Sequence, residues 1–166
     1  ELMGYASLAE GKVERVEVSE ALDRAAELAV PAGAGFDIRV HRSYAMGLPA
    51  LAVQRAHVLE IFTNILANAR DAMDGRGEIF LRTSAGADQS VIVGIRDTGP
   101  GIASDIREKV FEPYFTTKEK GTGLGLAIVK HNTELYGGTV RIESEPGMGA
   151  MFVIQLPARS LHRLTA

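Results

Sequence analysis

Between Glu60 and Asp71 the chain reads Glu-Ile-Phe-Thr-Asn-Ile-Leu-Ala-Asn-Ala-Arg-Asp, and four of those residues carry oxygen ligands at helical spacing. No Gly or Pro interrupts the run from Ala56 to Met73. At about 100° per residue, Glu60, Asn64, Asn68 and Asp71 share one side of a helix, while Val58, Phe62, Ile65, Ala69 and Met73 share the other. A polar line on a helix is ordinarily solvated surface. This one holds two asparagines, two carboxylates and no lysine. Asparagine is a mediocre helix former, so the row costs helix stability unless a ligand uses it. Mg²⁺ suits such a row, because it takes one or two protein oxygens and completes its shell with water and phosphate oxygens.

A second candidate lies at Asp97. Val91, Val93 and Ile95 alternate along an expected strand, and the period of two puts Asp97 on their inward face. A carboxylate aimed at a core is costly without donors, which backbone amides or a structural arginine could supply. Thr98-Gly-Pro-Gly101 follows at once, and its glycines let the backbone approach a flat ligand closely. A third signal is Lys120-Gly-Thr-Gly-Leu-Gly-Leu126, which feeds an expected helix. Glycines at alternate positions before a helix N-terminus form an anion cradle of free N–H groups and dipole. Alone, that pattern is weak evidence.

The elements that must hold these residues follow from the patterning. Val13 to Val18 alternates and reads as a short strand. Ser19, with Asp23 behind it, opens a helix to about Val30, ended by Pro31 and Gly33. Phe36 to His41 and Leu48 to Val53 read as strands, the first half-buried, and the asparagine helix comes next, stopped by Gly75 and Gly77. Glu78 to Thr83 and Val91 to Asp97 form a hairpin around Ala85 to Gln89. Ile102 to Phe115 has a helical turn or two. The helix after the glycines runs to about Tyr136 and stops at Gly137-Gly138. His131 lies among its apolar positions and reads as structural or partly exposed. Thr139 to Ser144 and Met151 to Leu156 are the last strands, and Ala158 to Ala166 shows no pattern.

The composition narrows the classes. One hundred and sixty-six residues make one domain with a sizeable core, and 46% hydrophobic with 23% charged residues is ordinary for a soluble globular chain. A net charge of −3 argues against nucleic acid or an anionic membrane surface as the main partner. With no cysteine there is no disulfide, thiol chemistry or zinc–thiolate site, which suits a reducing compartment. No run of about 18 apolar residues and no signal-peptide pattern occurs. The expectation is a soluble, cytoplasmic domain without direct membrane contact, whatever anchors the full-length protein.

In this order the motifs resemble the catalytic, ATP-binding domain of sensor histidine kinases in the GHKL superfamily. The resemblance rests on Asn64-Ile-Leu-Ala-Asn68-Ala-Arg-Asp-Ala72, Asp97-Thr-Gly-Pro-Gly101, Phe111-Glu-Pro-Tyr-Phe115-Thr-Thr-Lys118, Gly121-Thr-Gly-Leu-Gly125-Leu-Ala-Ile-Val129 and Gly147-Met-Gly149. It runs from about Val13 to Leu156. It implies an α+β fold: a two-layer α/β sandwich whose mixed five-stranded sheet carries about three helices on one face. It implies ATP and Mg²⁺ as cofactors. Asn68 becomes the Mg²⁺ ligand with Asn64 one turn earlier, Asp97 the acceptor of the adenine amino group with Gly101 nearby, and Lys118 with the amides of Gly123, Leu124 and Gly125 the phosphate contacts. Asn64, Asn68 and Lys118 are the catalytic set. Asp71, Gly99, Ile102, Phe111, Phe115, Thr116, Gly121, Thr122 and Leu126 complete the expected binding set, with a lid from about Ser104 to Thr122. The chain departs from the family in having Ala150-Met151 after the last glycine and Gln54 where an aspartate is common.

By the same resemblance, residues 1–12 look like the end of a dimerisation helix and linker, 13–158 like the catalytic domain and 159–166 like a tail. The implied activity is transfer of the γ-phosphoryl group of Mg-ATP to a histidine on the protein's own dimerisation domain, in a homodimer, with a response-regulator receiver domain downstream and no nucleic-acid partner. The phosphoacceptor signature, His followed by an acidic residue, is absent: His41, His57, His131 and His162 precede Arg, Val, Asn and Arg. The rivals are an anti-sigma-factor-type serine kinase of the same superfamily and a nucleotide-sensing pseudokinase. Phe115-Thr-Thr-Lys118 followed by Gly-Thr-Gly-Leu-Gly-Leu126 argues against the first, and intact Asn68, Asp97 and glycines argue against lost ATP binding in the second.

Overall fold

A computed structural model describes residues 11–115, 123–144 and 147–158. The expected helix end at Glu1 to Ala9 and most of the patternless tail lie outside these residues. In order come β1 (Val13–Val16), α1 (Val18–Ala29), β2 (Asp37–Ser43), β3 (Leu51–Gln54), α2 (Arg55–Ala72), β4 (Arg76–Ala85), β5 (Ser90–Asp97), α3 (Gly125–Leu135), β6 (Thr139–Ser144) and β7 (Ala150–Pro157). Single 3₁₀ turns occupy Ala87–Gln89 and Lys109–Phe111.

Five strands form one mixed sheet in the order β2-β4-β5-β7-β6, in which β2 and β4 are parallel and every other pair is antiparallel. The three helices cover one face, as expected. Inward residues of the strands, Ile79 and Leu81, Val91, Val93 and Ile95, Phe152, Ile154 and Leu156, join one core with Leu22, Phe62, Ile65, Leu66 and Val129 from the helices. On the opposite face Phe80 has His41 stacked on it at 4.6 Å and the Arg96 guanidinium over it at 4.6 Å. Alternation alone did not say that β3 pairs away from this sheet. It runs antiparallel to β1, Val13 opposite Gln54 and Val16 opposite Leu51, as a separate two-stranded ribbon.

Several boundaries move for local reasons. The strand expected through Val18 stops at Val16, and α1 starts at Val18 with Glu17 rather than Ser19 as N-cap and no side-chain cap bond. Its apolar stripe of Val18, Ala21, Leu22, Ala25, Ala26 and Ala29 is buried, so packing selects the helix. The α2 stop is a Schellman turn: Gly75 N donates to Arg70 O at 3.0 Å and Asp74 N to Asp71 O at 3.1 Å. Two residues there are left-handed, Asp74 (φ 53°) and the expected Gly75 (φ 77°). The β4–β5 hairpin, by contrast, takes its positive φ at Asp88 (54°) and Gln89 (59°), not at Gly86. Aspartate tolerates that region because its short polar side chain bonds locally.

Helix α2 lies between α1 and α3 and packs along both. Its apolar side is buried as expected, with Val58, Phe62 and Ile65 fully enclosed. Arg70 crosses to α1, where Nη1 donates to the final Ala29 carbonyl at 2.7 Å while the guanidinium sits 5.2 Å from the Phe36 ring. Against α3 the contact is polar. The Tyr136 hydroxyl, just past α3, accepts from Gln54 N at 3.0 Å and bonds His57 Nδ1, and Asn132 Nδ2 donates to His57 O at 3.2 Å and Glu60 Oε1 at 3.0 Å. Gln54 thus starts α2 through its backbone, without the side-chain cap an aspartate would give.

His57 is 1% exposed, and burial lowers its pKa from 6.5; Glu60 opposes that shift and His131 adds to it. In the window below 6.5 the unfolded chain holds a proton that the native chain refuses, so protonation favours unfolding. Stability from this group is complete above that window and falls as pH drops through it, by about 1.4 kcal/mol per pH unit at most. Urea midpoints taken across that range should decline toward acid in the parent and decline less in His57→Gln.

Candidate nucleotide site

The oxygen line on α2 divides when the chain folds. Glu60 is turned toward α3, where Asn132 donates to it, and Asp71 accepts from Arg70 Nε at 3.1 Å. Asn64 and Asn68 remain, both half-buried. Asn64 Nδ2 donates back to Glu60 O at 2.9 Å, which fixes the carboxamide so that Oδ1 points away from its own helix. Oδ1 faces the first residue of α3: a Cβ on Gly125 would lie 3.0 Å from it. The first backbone bond of α3 runs from Ile128 N to Leu124 O at 3.0 Å, so the amides of Gly125, Leu126 and Ala127 precede any intrahelical bond. The cradle and Asn64 are therefore neighbours. The Asn68 side chain makes no hydrogen bond among the described residues.

Asp97 ends β5 on the inward face, 4% exposed, as the strand period required. Its donors are backbone amides, Gly99 N at 2.8 Å and Ala150 N at 3.4 Å, and both reach Oδ1. Burial raises the Asp97 pKa, and the two amides pull it back. Because both donors sit on one oxygen, Oδ2 is the oxygen with acceptor capacity to spare. Gly99 and Gly101 shape the turn that follows, Gly101 with φ 86°, and Pro100 O accepts from Gly147 N at 2.8 Å. Gly149 (φ 79°) rests on the backbone of Asp97 so closely that a Cβ there would overlap the Asp97 carbonyl. The last glycine pair and the turn after β5 form one unit.

The segment after Ile102 is a chain of turns, Val110 N to Ile106 O and Glu112 N to Lys109 O, as its weak pattern suggested. Phe111 anchors it edge-on to Phe152 at 6.2 Å, and Phe115 is half-buried. Tyr114 N donates to Gly123 O at 2.7 Å, which brings both flanks of residues 116–122 together. Thr116, Lys118, Gly121 and Thr122 lie outside the described residues. Leu124 and Leu126 are half-buried at the start of α3, beside the cradle. His131 is exposed on α3.

Sequence reasoning missed three contributors. Thr98 Oγ1 accepts from Glu78 N at 3.1 Å and so ties the start of β4 to the turn. Ser144 bonds to both sides of that turn and hairpin. Ala150, flagged as a departure, acts on Asp97 through its amide, which any residue but proline supplies. Motif spacing carries no signal for the first two, because their partners lie 20 and 42 residues away.

The fold and these neighbours define a class: a mixed sheet with three helices on one face, and a glycine-fed helix N-terminus beside Asn64. Residues 53–160 match the family described as histidine kinase-, DNA gyrase B- and HSP90-like ATPases, and the chain belongs to that family of ATP-binding domains. The sensor histidine kinase ZraS of Salmonella typhimurium (strain LT2) is 42% identical over 98 residues, which is 59% of this chain and 21% of that protein. Full-length ShkA in complex with AMPPNP is similar in structure (TM-score 0.79, 32% identity) across 89% of this chain and 31% of that one. The mycobacterial sensor histidine kinase MprB is similar over 89% of this chain and 98% of that one, with TM-score 0.75 and 28% identity. The chain spans about a fifth of the length of the curated relatives it matches. Among the described residues no helix is long and apolar enough to cross a membrane.

Gly149→Ala should lower stability by more than about 1 kcal/mol, because φ of 79° disfavours any side chain and the Asp97 carbonyl blocks the Cβ. A lower urea midpoint with an unchanged slope checks this.

Proposed function

We propose that this chain is the catalytic domain of a sensor histidine kinase, spanning residues 13–158. It binds Mg-ATP and passes the γ-phosphoryl group to a histidine of a dimerisation domain, from which a response regulator would be loaded. One observation carries the reading: Asn64 Oδ1 faces the N-terminus of α3, with a buried carboxylate, Asp97, at the end of the adjoining sheet. The sensor histidine kinases among the relatives support it over a serine kinase or a nucleotide sensor.

In this reading Asn68 holds Mg²⁺, with Asn64 beside it near the phosphates, and Asp71 stands at the end of the line. Mg²⁺, when bound, neutralises charge on the phosphates. The α3 amides and dipole would stabilise the same charge, and Lys118 with Thr116, Gly121 and Thr122 would complete the phosphate contacts. Asp97 Oδ2 accepts the adenine amino hydrogen, with Gly99, Gly101 and Ile102 against the base. Phe111 and Phe115 seat the lid. Phosphoryl transfer asks little covalent work of the protein, so positioning and charge neutralisation supply the catalysis.

Asp97→Asn removes a charge-assisted hydrogen bond, so ATP affinity should fall on the order of tenfold to a hundredfold. Calorimetric titration with ATP and GTP should show a loss confined to ATP; equal losses would refute the adenine assignment.

The chain should also bind ATP without labelling itself. His41 has a carboxylate partner in space, Glu78 at 2.7 Å, but stacks on Phe80 on the sheet face opposite the helices, and in-line transfer needs reacting atoms about 3–3.5 Å apart. With γ-labelled ATP, acid-labile label should appear only when the protein's own separately made dimerisation domain is added. Label on this chain alone would mean that the acceptor is one of its own histidines.

A further inference from the structure

Ser144 is the last residue of β6, paired with Ala150 across the β6–β7 hairpin, and is 7% exposed. Its hydroxyl is used in both directions. Oγ accepts from Ile102 N at 2.8 Å and donates to Gly149 O at 2.9 Å. Its carbonyl accepts from Arg107 Nη2. The hydroxyl therefore joins the far end of the turn after β5 to the hairpin that leads to Ala150, and the backbone carbonyl of the same residue holds the segment that follows the turn. The same two loops meet at Asp97, through Ala150 N on Oδ1 and through the Gly149 backbone on the Asp97 carbonyl. They meet again where Gly147 N reaches Pro100 O. Among the described residues, the Asp97 carboxylate and the Ser144 hydroxyl bridge the turn and the hairpin, and the Arg107 guanidinium adds a bond from the following segment to the Ser144 carbonyl.

We infer that Ser144 is a positioning residue for the base pocket: its hydroxyl sets the separation between the Gly101–Ile102 wall and the hairpin, and hence the orientation of the Asp97 carboxylate toward a bound adenine. This rests on the reading of Asp97 as the adenine acceptor. The hydroxyl is engaged by backbone on both sides, by Ile102 N and Gly149 O. It acts through Ile102 and Gly149, which would lose a donor and an acceptor partner together if it were removed. The α3 cradle lies elsewhere, beside Asn64, and takes no hydrogen bond from Ser144 among the described residues. Ser144 should therefore affect the base end of the ligand and leave the phosphate end alone.

The test is calorimetric titration of the parent, Ser144→Ala and Asp97→Asn with ATP, adenosine and inorganic tripolyphosphate, after thermal melts have confirmed folding of each. Loss of one ordinary hydrogen-bonded bridge should weaken ATP and adenosine by the same factor, roughly fivefold to tenfold, in Ser144→Ala. Tripolyphosphate binding should be unchanged. Ser144→Cys, which keeps the size of the side chain but bonds more weakly, should fall between parent and Ser144→Ala. It carries the comparison if Ser144→Ala does not fold. Parent-like adenosine affinity in the variants, with Asp97→Asn impaired, overturns the role of Ser144 alone. A loss shared equally by tripolyphosphate marks general loosening and also overturns it. If Asp97→Asn binds adenosine as the parent does, the base assignment falls and the Ser144 proposal falls with it.

Discussion

A carboxylate buried at the end of a core strand constrains this domain more than any other group. Asp97 follows Ile95 on the inward face of β5, so the sheet that buries Val91, Val93 and Ile95 also buries it. Burial raises the free energy of its charged form, and the structure answers with backbone amides rather than an opposite charge. Those amides come from two loops, the turn after β5 and the start of β7, so both must stay in place for the carboxylate to be tolerated. Gly149 permits the approach from one side, and Gly99 supplies the nearer donor. Among the described residues no cation pairs with this carboxylate, and its second oxygen takes no hydrogen bond from them.

The rest of the site is organised around the axis of α2. One side of this helix belongs to the core, and its ends are tied to both flanking helices, by Arg70 to the last carbonyl of α1 and by His57, Glu60 and Gln54 to Asn132 and Tyr136 of the α3 region. The two helices meet at separate places along their length, a polar seam at the start of α2 and the Asn64–Gly125 contact further along. The seam holds α3 along α2, with the α3 N-terminus beside Asn64. Stability and placement of the cradle thus draw on the same interactions, and burial of a neutral histidine in that seam accompanies the arrangement.

The loops behave differently from the helices. Phe111 is held against Phe152 and Tyr114 against Gly123, so the segment from 103 to 115 has anchors at its far end, while Ser144 and Arg107 hold its near end. The turn around Asp97 and the N-terminus of α3 are therefore supported by separate sets of bonds. The two ends of a nucleotide could be tuned independently, consistent with a fold shared by kinases and ATPases of the same family.

Much of this was legible in the order of residues. Both faces of α2, the inward phase of Asp97 and the run of Gly121 to Leu126 into a helix are local periodicities, and a backbone with a repeat of about 3.6 or 2 expresses them whatever surrounds it. The five-stranded sheet with helices on one face followed from the family resemblance that those motifs carry. Three things were decided only by tertiary structure. Of four oxygen-bearing residues on one helix face, Glu60 is turned to Asn132 and Asn64 meets the cradle, a selection made by α3 packing beside α2, while Asp71 pairs with its own neighbour Arg70. β3 pairs with β1, because alternation marks a strand without naming its neighbour. Ser144 joins two loops whose meeting depends on the β5-β7-β6 register, a relation between residues far apart in the chain that no local pattern encodes.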